Sequence, residues 1–90
     1  MTKRRSRLEI MLAILSAVKN GIDKPTLIMY AADTSWSPTK SILSSLVNQG
    51  LLTMKETPRK KQTKRSYSIT EKGTNVLRYF EGLNELVEIV

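Results

Sequence analysis

The sequence predicts a small α+β domain, mainly helical, in which three helices are followed by a β-hairpin and a C-terminal helix. Three observations predict it. Apolar residues recur at helical spacing in three segments ahead of Gly50 and in one beyond Thr70. Gly21, Pro25, Pro38 and Gly50 stand where helices stop and start. Two short runs of strand character, 51–54 and 66–69, flank a loop crowded with cations. Ninety residues make one domain, 1–90, with a modest core.

The first helix is expected over 4–19. Leu8, Met11, Leu12 and Leu15 form one stripe, and Ile10, Ile14 and Val18 an adjacent one, so the helix is apolar over a wide arc and belongs at the centre of the fold. TKRRSR followed by LEIMLAILSAV has the outline of a secretory signal, but Glu9 breaks the apolar run, no A-x-A site follows and Lys19 comes directly after Val18. No run approaches the roughly eighteen apolar residues of a membrane span, so no membrane partner is expected. Asn20-Gly21 supplies a left-handed stop, and Asp23-Lys24-Pro25 opens a second, short helix over 24–32.

Helix three is expected over 37–49, with Ser37 as its cap, Pro38 at the first helical position and Gly50 past its end. Ile42, Leu43, Leu46 and Val47 take one side; Ser37, Lys40, Ser41, Ser44, Ser45 and Asn48 take the other. Two short helices joined by DTSW match a helix-turn-helix in length and patterning. On that reading Ser37, Thr39, Lys40, Ser41, Ser44 and Asn48 face the major groove of a duplex, where hydroxyls donate or accept. The same pattern also describes an ordinary solvent-facing side. No Arg is present on this helix for a bidentate contact to guanine.

A hairpin is expected over 51–69, with Pro58 ending the first strand and Tyr67 and Ile69 sharing one face of the second. Its loop carries the charge. The formal net charge is +7; residues 1–7 contribute +4 and 55–65 contribute +5, whereas 8–54 sum to zero and 66–90 to −2. Six cations in one loop repel one another without a polyanion, which favours phosphate binding by Arg59, Lys60, Lys61, Lys64 and Arg65, with Lys3, Arg4, Arg5 and Arg7 as an N-terminal arm.

Thr70 caps a last helix over 70–89. Val76, Tyr79, Phe80, Leu83, Leu86, Val87 and Val90 form an apolar seam on it, favouring a homodimer over a lone exposed helix. Gly73 is expected to permit close packing of the helix start against the hairpin. Trp36 reads as a staple on the second helix or on the stem of Lys40, or as a sugar or phosphate contact. Tyr30 and Tyr67 read as core residues with a polar tip.

Helix, helix, helix, strand, basic loop, strand, helix is the order of a winged helix-turn-helix. The chain resembles the archaeal winged-helix regulators and the small, roughly ten-kilodalton chromatin-associated winged-helix proteins of archaea. KRRSRLEIMLAIL, IMYAADTSW, LVNQGLL and YSITEKG carry the resemblance, which spans most of the chain. It implies double-stranded DNA as partner, the third helix in the major groove, the basic wing 58–65 on the backbone or minor groove, and a dimer through the C-terminal helix. A cytoplasmic, nucleoid-associated regulator or architectural protein follows from it.

Catalysis finds little support. The chain has no Cys and no His, hence no thiol nucleophile, imidazole base or usual transition-metal ligand. Glu81, Glu85 and Glu88 are spaced as surface acids of one helix, and no Gly-rich phosphate loop follows a strand. No enzyme activity, cofactor, metal or small-molecule effector is expected. Two other readings of the same charge remain: a winged helix used as a protein–protein adaptor, and an RNA-binding module.

Overall fold

Six elements make up the computed structural model, which describes the backbone of residues 6–59 and 63–88 and, within these, the side chains up to Leu83. They are α1 (Arg7–Lys19), α2 (Pro25–Ala31), α3 (Trp36–Asn48), β1 (Leu52–Pro58), β2 (Thr63–Ile69) and α4 (Glu71–Glu88). The expected order, with helices outweighing one two-stranded antiparallel hairpin, is present.

Local chemistry sets each boundary. Ser6 and Glu9 form a reciprocal capping box: the Ser6 hydroxyl accepts from the Glu9 N–H at 3.1 Å, and the Ser6 N–H donates to Glu9 Oε1 at 3.1 Å. The helix therefore opens at Arg7, and residues 4 and 5 of the expected span lie outside the described part. All three of the first helices stop in the same way. Ile22 N–H donates to the Ala17 carbonyl, Thr34 to Met29 and Leu51 to Leu46, a six-to-one bond closing each last turn. The residue inside each closure is left-handed: Gly21 at φ 98°, Asp33 at 53° and Gly50 at 77°. Asp33 occupies a position that glycine fills in the other two helices.

Helix α3 starts earlier than expected. Its cap is Ser35, whose carbonyl accepts from the Thr39 N–H at 3.3 Å, so Trp36 rather than Pro38 is the first helical residue. Pro38 falls third, still within the turn whose N–H groups have no intrahelical acceptor.

The hairpin runs from Leu52 opposite Ile69 to Pro58 opposite Thr63. Only its base is buried, through Leu52 and Tyr67, so the outer rungs project beyond the core. A further bond fixes its angle: Tyr67 N–H donates to the Asp23 carbonyl at 2.9 Å, tying β2 to the entrance of α2.

The core gathers Ile14 and Leu15 of α1, Ile28 of α2, Ile42, Leu43 and Leu46 of α3, and Leu52 of β1, all essentially without solvent contact. As expected, α1 is central and meets α2, α3, β2 and α4. Its first turn is not: Leu8 is exposed. Tyr30 is 69% exposed, against the expectation of a core role. Ile28 and Ala32 form the buried stripe of α2, and Tyr30 stands two residues from each, on the far side of the helix. Tyr67 is buried as expected.

Helix α4 begins at one hydroxyl. Thr70 Oγ1 accepts from the Gly73 N–H at 3.0 Å and donates its single proton toward the carbonyls of Gly50, at 2.7 Å, and Leu51, at 3.0 Å. Lys72 Nζ adds a bond to the Gln49 carbonyl at 3.0 Å. Gly73 packs so tightly here that a Cβ would collide with the Leu51 carbonyl oxygen. Among the described residues, no helix is long and apolar enough to cross a membrane.

Candidate nucleic-acid interface

The polar side of α3 presents Ser37, Lys40, Ser41, Ser44 and Asn48 to solvent, at successive intervals of three, one, three and four residues along one flank. Thr39 is a correction to the expected set. It has no exposed surface, and its hydroxyl donates to the Ser35 carbonyl at 2.7 Å, so it can offer no proton or lone pair to a ligand. That local bond satisfies the hydroxyl and makes its burial inexpensive.

Arg7 reaches this flank from α1. Its Nη2 donates to Ser41 Oγ at 3.2 Å, which brings the described end of the expected arm directly onto α3. Lys3, Arg4 and Arg5 lie outside the described residues. On the other flank, a groove of about 400 Å³ opens between the start of α2, α3 and β2. Lys24, Lys40, and the adjacent Lys64 and Arg65 enter it from three different stretches of chain, over a floor that includes Leu43 and Tyr67.

Arg59, Lys64 and Arg65 are exposed on the hairpin, and Lys60 and Lys61 lie outside the described residues. Arg65 faces Glu56 across the ladder, with Nε to Oε1 at 3.5 Å and both side chains about half exposed. In water such a pair contributes little stability, but it holds the guanidinium along the strand and offsets one wing charge.

Sequence reasoning missed Lys24 as a member of this surface and the exposure of Trp36, which is 46% accessible at the groove. A signal for Lys24 was present, since it immediately precedes the first residue of the helix leading into the turn. Nothing local distinguishes an exposed Trp36 from a stapled one.

Helix α4 exposes Tyr79 and Leu83 and half-buries Val76 and Phe80. The Tyr79 and Phe80 rings meet edge to face, their centroids 5.4 Å apart. A shallow groove runs past Val76, Tyr79 and Phe80. The side chains of Leu86 and Val87, and Val90 entirely, fall outside the described part. Burial pushes the Tyr67 phenol above its ordinary pKa; the nearby Arg65 charge opposes that shift and Glu56 adds to it.

Comparison with known proteins agrees with this architecture. A profile described as winged helix-turn-helix matches residues 4–88. The chain is 30% identical over 87 residues to the uncharacterized protein MJ0287 of Methanocaldococcus jannaschii, covering 97% of this chain and 78% of that protein. Among solved structures, smu.1704 of Streptococcus mutans UA159 superposes with a TM-score of 0.82 at 22% identity, over 99% of this chain and 88% of that one. Sso10a-2, a DNA-binding protein from Sulfolobus solfataricus, gives a TM-score of 0.74 at 28% identity, over 93% and 83%. The zinc-responsive MarR family member ZitR of Lactococcus lactis gives 0.60 at 22% identity, over 98% of this chain but 62% of its own. With three helices, a basic hairpin and a family match running through nearly the whole chain, this protein belongs to the winged helix-turn-helix family.

Proposed function

We propose that the protein binds double-stranded DNA, with α3 in the major groove and the hairpin along the backbone or minor groove. The observation that carries this reading is convergence: Lys24, Lys40, Lys64 and Arg65 meet at one groove on one side of α3, and Arg7 joins α3 from the other. Such a surface tracks a line of phosphates better than it fits a single anion. The similarity to Sso10a-2, whose description is that of a DNA-binding protein, supports the same reading. Ser37, Ser41, Ser44 and Asn48 supply neutral donors and acceptors for the groove between the cations.

The reading extends to a homodimer through the exposed apolar strip of α4, acting as a nucleoid-associated regulator or architectural protein. Fluorescence anisotropy against a random duplex and a selection-enriched pool, at several salt concentrations, tests it. Each phosphate neutralised contributes roughly −0.9 to the slope of log K against log salt, so a steep slope is expected. An affinity insensitive to salt overturns the reading. Enriched sequences binding about 10³-fold more tightly identify a regulator; equal binding identifies an architectural protein.

A further inference from the structure

Trp36 is the only tryptophan of the chain, and α3 leaves it 46% exposed at the edge of the cationic groove. A large indole left about half in water forgoes part of the stabilisation that burial would give, so its position calls for a use. The surroundings narrow that use. Lys24 caps α2, Lys40 lies on α3 and Lys64 on β2, and among the described residues no Asp or Glu lines the groove with them. Pro25 and Leu43 add apolar surface to the lining. The ligand that fits is amphiphilic on a short length scale, with anionic groups alternating with small apolar faces. A sugar–phosphate strand has this character. The face of a base does not become available in an intact duplex without unstacking, which is unfavourable.

We infer that Trp36 is itself a DNA contact, its indole lying against a deoxyribose while Lys24, Lys40 and Lys64 take the neighbouring phosphates. This rests on the duplex-binding reading above and adds one residue, Trp36, to the surface. It also makes the contact independent of sequence, because every nucleotide presents the same sugar.

The lone indole is its own reporter. Full-length protein is titrated with unlabelled duplex while acrylamide quenching of Trp36 emission is followed, alongside anisotropy with labelled duplex. Saturating duplex is expected to lower the quenching constant at least about twofold, and a duplex with uracil in place of thymine to protect equally, since no base methyl is involved. Trp36→Ala is expected to weaken binding about fivefold at unchanged salt slope, because it removes contact area and no charge. Trp36→Phe, which keeps an apolar ring and guards against misfolding of the alanine variant, is expected to bind within about twofold of the parent. Lys24→Ala is expected to lower the magnitude of the slope by roughly 0.9.

Tight, salt-dependent binding with unchanged quenching, or with Trp36→Ala folded and binding like the parent, overturns this inference and leaves duplex binding intact. Protection lost on the uracil duplex also overturns it, in favour of a base contact. Absence of binding by anisotropy overturns both readings together.

Discussion

Arg65 Nε and Glu56 Oε1 stand 3.5 Å apart across the hairpin, the one ion pair found on the described part of the wing. Glu56 thus subtracts from the charge that a duplex would meet. Glu56→Gln is expected to tighten binding a few-fold at low salt, with the gain fading as salt screens it, while unfolding free energy changes by less than about 1 kcal/mol. Removing Lys60, Lys61, Lys64 and Arg65 together should weaken binding to all sequences alike. Anisotropy and urea denaturation, run on the same preparations, check both outcomes.

Two glycines separate two kinds of cost. Gly21→Ala places a methyl in open space but at φ 98°, so only the left-handed backbone is penalised, by about 1 kcal/mol. Gly73→Ala drives a methyl into the Leu51 carbonyl and within 2.9 Å of Ile69 Cγ1, and overpacking of that kind costs about 1–3 kcal/mol. Urea midpoints should fall further for Gly73→Ala. A reversed order would mean that the junction of β2 and α4 is looser than described.

Tyr67 gives a pH dependence with a definite sign. Burial raises its pKa above the unfolded value of about 10, so the folded state holds the phenol proton more tightly. The stabilisation is complete below about pH 10 and is lost as pH rises through the folded pKa. Tyr67→Phe lacks this step. Relative to that variant, the parent should lose stability only on the alkaline side of about pH 10, as read by thermal melts at matched ionic strength.

The exposed strip on α4 predicts assembly. Sedimentation equilibrium should report a dimer, and Leu83→Glu should shift it to monomer with helix content retained, because Leu83 is 38% exposed within one chain. A parent that remains monomeric at tens of micromolar would remove the dimer from the proposed function.

How much of this was legible beforehand follows from how local each signal is. The order of elements could be read because periodicity and the stops at Gly21 and Gly50 are written within a few residues of where they act. The start of α3 was displaced because Ser35 and Ser37 both precede Pro38 within one turn, and proline is tolerated anywhere in that turn. Thr39 was misplaced because a helical wheel cannot tell a hydroxyl facing solvent from one already bound to the preceding turn. Residue type points Tyr30 to the core, whereas α2 and its cap bury only the stripe of Ile28 and Ala32. Arg7 beside Ser41, and Lys24 on the same groove as Lys64, bring together residues distant in sequence, and no local pattern encodes those placements.

The Thr70 hydroxyl joins the end of α3 to the beginning of α4 through a shared proton and an accepted one. A helix of 18 residues is about 27 Å long, so a tilt of roughly 5° at its first turn displaces its far end by roughly 2 Å. In a two-fold assembly built on α4, that lever converts the angle at Thr70 into the distance between the two reading helices. Spacing along a DNA target would then be calibrated at the junction that Thr70, Lys72 and Gly73 close.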